Sequence, residues 1–185
     1  MDELFDSQFI RHDLDPLFML LALQVATVFL VGTAMTMARA HALEFPGKMR
    51  LDEKTYVAVQ MIYYPGLTLG GIGEVLAVIA TLLLMFLMRN DGVAFWWVLS
   101  AFVAVSATHA VFWLFTQPVN RYWLKNQRLG TAGTKFFSLD RTDRSIAGDL
   151  DPNWKHFRNR WEYSHIVRAV FSCIALVTVP VAVAI

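Results

Sequence analysis

Four long apolar stretches stand out along the chain, at residues 17–38, 68–88, 94–116 and 166–185. Each is long enough to cross the ~30 Å hydrocarbon layer of a bilayer, which takes roughly 20 helical residues. In lipid only helices and closed barrels satisfy their own backbone groups, and runs of this length predict helices. Residues 89–93, Arg-Asn-Asp-Gly-Val, join the second and third stretches by a turn short enough to force an antiparallel hairpin. The pattern therefore predicts an all-α fold, a four-helix transmembrane bundle forming one domain over residues 1–185.

The polar segments orient that bundle. The loop at 39–67 carries four Lys and Arg and the loop at 117–165 carries nine, thirteen on one side. The opposite side has only Arg11 and Arg89. Cytoplasmic loops concentrate Lys and Arg, so both basic loops are expected in the cytoplasm and both termini outside it. Trp96 and Trp97 suit the outer interface; Trp123, Trp161 and Tyr163 suit the inner one. The first 15 residues hold five acids and one arginine, unlike the basic start of a cleaved signal, which makes the first span a retained anchor. The expected location is the inner (cytoplasmic) membrane of a bacterium, as a multi-pass protein whose first partner is the lipid bilayer.

Composition agrees and excludes several classes. Hydrophobic residues make up 56% of the chain and mean hydropathy is +0.45, against about 45–50% apolar residues in soluble domains. A net charge of +1 gives no basic field for nucleic acid. The single cysteine, Cys173, rules out an internal disulfide and reads as a small apolar filler. His12, His41 and His156 fall in the expected loops and are given no site role. Pro65 is expected to kink an early-starting second helix, and Gly70, Gly71 and Gly73 would let another helix or a flat ligand approach its backbone.

Ionisable groups inside a span are costly, roughly 2.5–3.5 kcal/mol each, and so mark candidate sites. The second span has Glu74, the third His109, and the fourth Arg168 just after His165. At ~1.5 Å rise per residue, Glu74 and His109 both lie roughly 10 Å below the inner interface, so they can meet. His109, Trp113 and Gln117 fall at i, i+4 and i+8, with Ser106 a turn earlier and Asn120 beyond Pro118. Trp161, His165, Arg168 and Ser172 share one face of the fourth helix. These faces and Glu74 are expected to surround a pocket open to the cytoplasm or inner leaflet. Glu74, His109, Asn120, His165 and Arg168 are its candidate catalytic groups; Trp113, Gln117, Arg121 and Trp161 are its candidate binding groups. Plain structural roles compete: Arg168 reaching lipid headgroups, an inert Glu74–Arg168 pair between helices, or a merely hydrogen-bonding His109.

A carboxylate and two imidazoles suit proton abstraction from a weakly acidic substrate, and Arg168 with Asn120 could stabilise a phenolate or enolate. Glu with two His is also a ligand set for zinc or non-haem iron, but no HExxH signature accompanies it. With His109 the one deeply placed histidine, a bis-histidine haem finds no pair. The cofactor stays open between none, a metal and haem.

The segment Thr108-His109-Ala110-Val111-Phe112-Trp113, then Gln117-Pro118-Val119-Asn120-Arg121, and the run Arg160-Trp161-Glu162-Tyr163-Ser164-His165-Ile166-Val167-Arg168 resemble the anthrone oxygenase-like family of small four-span membrane proteins. That family has a histidine in the third helix, a Pro-x-Asn at its end, and a tryptophan leading to His-x-x-Arg in the fourth. The resemblance covers mainly residues 105–180. It implies an oxygenase converting anthrones to anthraquinones without a dedicated organic cofactor, and it points to His109, Asn120, His165 and Arg168. The acidic start and the Tyr63-Tyr64-Pro65 segment have no counterpart in the pattern. Two functions from different classes therefore stand side by side. One is an oxidoreductase acting on a flat, lipid-soluble phenolic or quinone-like small molecule. The other is a non-catalytic accessory subunit docked to partner membrane proteins.

Overall fold

The structure is a computed structural model and describes residues 16–64, 66–124, 131–136 and 153–185. Pro65, the acidic first 15 residues and most of the long second loop lie outside the described residues, and with them the expected kink at Pro65. The described residues form seven α-helices: α1 (Pro16–Lys48), α2 (Glu53–Gln60), α3 (Gly66–Leu87), α4 (Val93–Val111), α5 (Gln117–Leu124), α6 (Thr131–Phe136) and α7 (Trp154–Ala184). A 3-10 turn, Met61–Tyr63, follows α2, and a π turn, Phe112–Thr116, joins α4 to α5 in one continuous rod.

Four of these elements are long and apolar enough to cross a membrane: α1, most of α3, the α4–α5 rod and α7. The protein is an all-helical, multi-pass integral membrane protein. In the bundle α1 packs on α3 and α7, while α4 packs on the same two helices from the other side. The α3–α4 hairpin is closed by Gly92, whose positive φ of 56° a side chain would strain.

The helices overrun the apolar stretches that announce them. The first continues three turns past Ala38, through His41 and Glu44, because nothing before Pro46 and Gly47 interrupts good helix formers. The segment expected as a loop at 39–67 is thus largely helical, and His41 is a buried helical residue rather than a loop residue. Asp52 then caps α2, its carboxylate accepting the Thr55 N–H at 2.8 Å. At the other end α7 starts at Trp154, two turns before Trp161.

Three apolar layers stack along the bundle. Leu84, Met88, Ala94, Val98 and Ala182 fill the hairpin end. Val31, Ala77, Ala101, Ala104, Val105, Ala175 and Val179 fill the middle, where alanines let the backbones approach closely. Tyr56, Val119, Trp123 and Trp161 form an aromatic plug at the loop end. Trp123 and Trp161 are therefore interior residues rather than interface residues, whereas Tyr163 is exposed. Large apolar side chains on the outer faces, such as Phe29, Ile72, Phe86 and Val177, suit contact with lipid.

Candidate functional site

Between the central alanine-rich layer and the aromatic plug lies a cavity of about 200 Å³. Its walls come from every long helix and from α2, including Met37 and His41 of α1, Gly71 and Glu74 of α3, and His165 and Arg168 of α7. Gly70 holds α1 close to α3, since a Cβ there would fall on the Met37 sulfur.

Glu74 is the centre of one polar cluster. It is 2% exposed and projects from the stripe of α3 that also buries Ala77, Thr81 and Leu84. Arg168 Nη2 donates to its Oε2 at 2.5 Å, and His109 Nδ1 stands 3.4 Å from its Oε1. The Arg168 guanidinium also rests over the Phe112 ring, 5.2 Å from its centroid. A carboxylate within lipid depth needs such a counter-charge. On the far side of the imidazole, Trp113 Nε1 donates to His109 Nε2 at 2.9 Å. An imidazole that accepts at Nε2 carries its proton on Nδ1, the nitrogen facing Glu74. Three helices thereby build an ordered series, Arg168–Glu74–His109–Trp113.

The π turn following His109 has a local cause. Pro118 has no N–H, and its ring would crowd the Leu114 carbonyl four residues earlier. Gln117 N–H instead bonds back to the Phe112 carbonyl, and Arg160 Nη2 donates to the freed Leu114 carbonyl at 2.8 Å. Such widened turns recur at functional sites.

A second cluster lines the same cavity. His165 Nδ1 donates to the Trp161 carbonyl at 2.9 Å, which leaves Nε2 as the nitrogen with a free lone pair. The His165 ring lies 4.0 Å from the Trp161 ring and 4.3 Å from that of His41, centroid to centroid. Behind His41, Lys48 Nζ stands 3.4 Å from His41 Nδ1, 2.7 Å from Glu44 and 3.9 Å from Glu162, over the rings of Tyr63 and Trp161. Tyr56 donates to Glu162 at 2.8 Å and Tyr63 to Glu44 at 2.5 Å. Burial, and then the neighbouring carboxylate, push both phenols well above their usual range, so both remain donors.

The residues singled out by sequence divide clearly. Glu74, His109, Trp113, Asn120, Trp161, His165 and Arg168 all line the cavity. Asn120 accepts the Trp161 indole N–H at 2.9 Å and donates to Gln117 at 3.3 Å. Gln117 is buried but off the cavity, where it supports Asn120 from behind. Thr116, the last residue of the π turn, lines the cavity instead. Arg121 is exposed and lies outside the lining, on the far side of its helix. Arg168 does not reach toward headgroups, because Glu74 holds it inside the bundle.

Sequence reasoning missed Gln60 on the cavity wall, and His41, Lys48 and Tyr63 with the second cluster that these three help to build. One signal was present: His41, Glu44 and Lys48 are spaced i, i+3 and i+7, one face of a helix carried past the lipid. Among the described residues no group of three or more His, Cys, Asp or Glu is placed to hold a metal ion; Glu74 and His109 are turned to Arg168 and Trp113 instead.

Comparisons with curated proteins and with solved structures give no match. The sequence model of one family, anthrone oxygenase, matches residues 60–178, which carry Glu74, His109, Asn120, His165 and Arg168 but not the α1 wall. With well over half of the chain matched, from the end of α2 into α7, this four-span protein belongs to the anthrone oxygenase family.

Proposed function

We propose that the cavity binds a flat, lipid-soluble phenolic or quinone-like molecule and that the protein oxidises it with dioxygen. The observation that carries this reading is a pair of imidazoles lining the same cavity: His165, whose Nε2 keeps its lone pair because Nδ1 donates to the Trp161 carbonyl, and His109, held between Glu74 and Trp113. A methylene between aromatic rings and conjugated to a carbonyl loses one proton to the His165 Nε2. The electron pair left on carbon delocalises onto the carbonyl oxygen, where Arg168 and Asn120 offer donors. Dioxygen adds at the carbon, and loss of water with the second methylene hydrogen leaves a new carbonyl. The sum is CH2 plus O2 giving C=O plus H2O.

The test is turnover in lipid nanodiscs with an anthrone and ¹⁸O2. One labelled oxygen should enter the new carbonyl, and His109→Gln or His165→Gln should slow the reaction roughly 100-fold or more. Unchanged rates in both variants would overturn the assignment. The proposed setting is a bacterial cytoplasmic membrane, with the basic loop end and its aromatic plug on the cytoplasmic side and both termini outside. The distribution of Lys and Arg, thirteen against two, supports that orientation.

A further inference from the structure

Two residues of the cavity wall have no part in the chemistry above. Gln60 ends α2, and Trp123 lies in the last turn of α5; both line the cavity, 5% and 4% exposed. Gln60 Nε2 and Trp123 Nε1 are buried N–H donors with no hydrogen-bond partner among the described residues. Buried donors are nearly always paired in native proteins, so each unpaired one needs a reason. Both flank Tyr56: its ring lies 5.2 Å from that of Trp123, and Gln60 is one helical turn beyond it. The Tyr56 hydroxyl donates to Glu162 and accepts from neither of them. Along the α4–α5 rod roughly 20 Å of rise separates His109 from Trp123, so these donors stand at the plug end of the cavity.

We propose that Gln60 and Trp123 form a subsite for a neutral hydrogen-bond-accepting oxygen of the ligand, a carbonyl or ether-like oxygen held at the plug end. An N–H donor selects an acceptor, and an indole N–H can do nothing else. The acceptor is uncharged because, among the described residues lining the cavity, the only Lys or Arg is Arg168, which Glu74 holds. A carboxylate here would be buried without a counter-charge. The Gln60 amide turns about a soft terminal torsion, which lets it meet an arriving oxygen. The proposal rests on the cavity being a ligand site, as above, but not on the reaction.

The experiment is equilibrium binding of 9-fluorenone and fluorene to the full chain in nanodiscs, corrected for partition into empty discs. The two probes share one flat outline and differ by a carbonyl oxygen. The protein should prefer fluorenone. Gln60→Leu and Trp123→Phe should each weaken fluorenone about 3- to 10-fold, the range of one hydrogen bond, while fluorene is unchanged. Gln60→Leu, at the end of a short helix, keeps the test usable where Trp123→Phe disturbs the plug. Equal losses for both probes, no loss for either, or no preference in the parent chain would overturn the subsite. Absence of turnover leaves it standing, and loss of carbonyl preference overturns it even where turnover persists.

Discussion

The Trp113 indole N–H points at His109 Nε2 across 2.9 Å, from a side chain that is itself 47% exposed on the bundle's outer face. One bond therefore sets the imidazole's tautomer and covers its only free lone pair. A ligand reaching the cavity from lipid past Trp113 would uncover it. Removing the indole nitrogen with Trp113→Phe should raise the rate at which diethylpyrocarbonate modifies His109 several-fold, read by peptide mass spectrometry. His165, 3% exposed, serves as the internal control and should not change. Equal His109 rates in both proteins would mean that the indole does not cover the nitrogen.

The buried Glu74–Arg168 pair should reveal itself in stability. Glu74→Gln leaves the guanidinium without its counter-charge and is expected to cost about 3–5 kcal/mol. Adding Arg168→Met should recover part of that loss, since it removes the buried charge that Glu74→Gln leaves unpaired. Thermal unfolding in mild detergent measures both. A double variant no better than Glu74→Gln alone would show that Arg168 does more than balance charge.

Outside the spans, Asp52 gives a pH dependence of known sign. Its bond from the Thr55 backbone N–H holds the carboxyl below its usual value. A depressed folded pKa contributes stability that is present above the unfolded value, about 3.9, and is lost as pH falls through the folded one. The protection of amides at the start of α2, taken relative to their intrinsic exchange rates, should therefore be high at neutral pH and fall in acid below pH ~4. Asp52→Ala should show the low protection at both. An α2 whose protection ignores pH in the parent chain would remove the cap from this account.

The orientation can be measured directly. In a Cys173→Ala background, Asp91→Cys marks the hairpin and Lys155→Cys the start of α7, both exposed. A membrane-impermeant maleimide added to spheroplasts should label Asp91→Cys and spare Lys155→Cys until the membrane is opened. The reverse pattern would invert the bundle.

The sequence alone determined the bilayer as solvent, the four spans, the short hairpin and the candidates Glu74, His109, His165 and Arg168. These follow from local properties: apolar length against a fixed hydrocarbon thickness, and the cost of a charge within it. Depth along a helix is also additive, which is why Glu74 and His109 could be matched before any packing was known. Only the tertiary structure decided how far the helices run and which faces converge. Helix α1 continues past the lipid because water tolerates a helix as well as lipid does, so hydropathy carries no mark of its end at Lys48. His41 and Gln60 join the cavity, with Lys48 behind His41, only because α1 leans on α7 and α2 folds back over the plug. Gln117 and Arg121 fall away from it for the complementary reason: a residue's helical face can be counted along one chain segment, but the direction of the cavity is set by its neighbours.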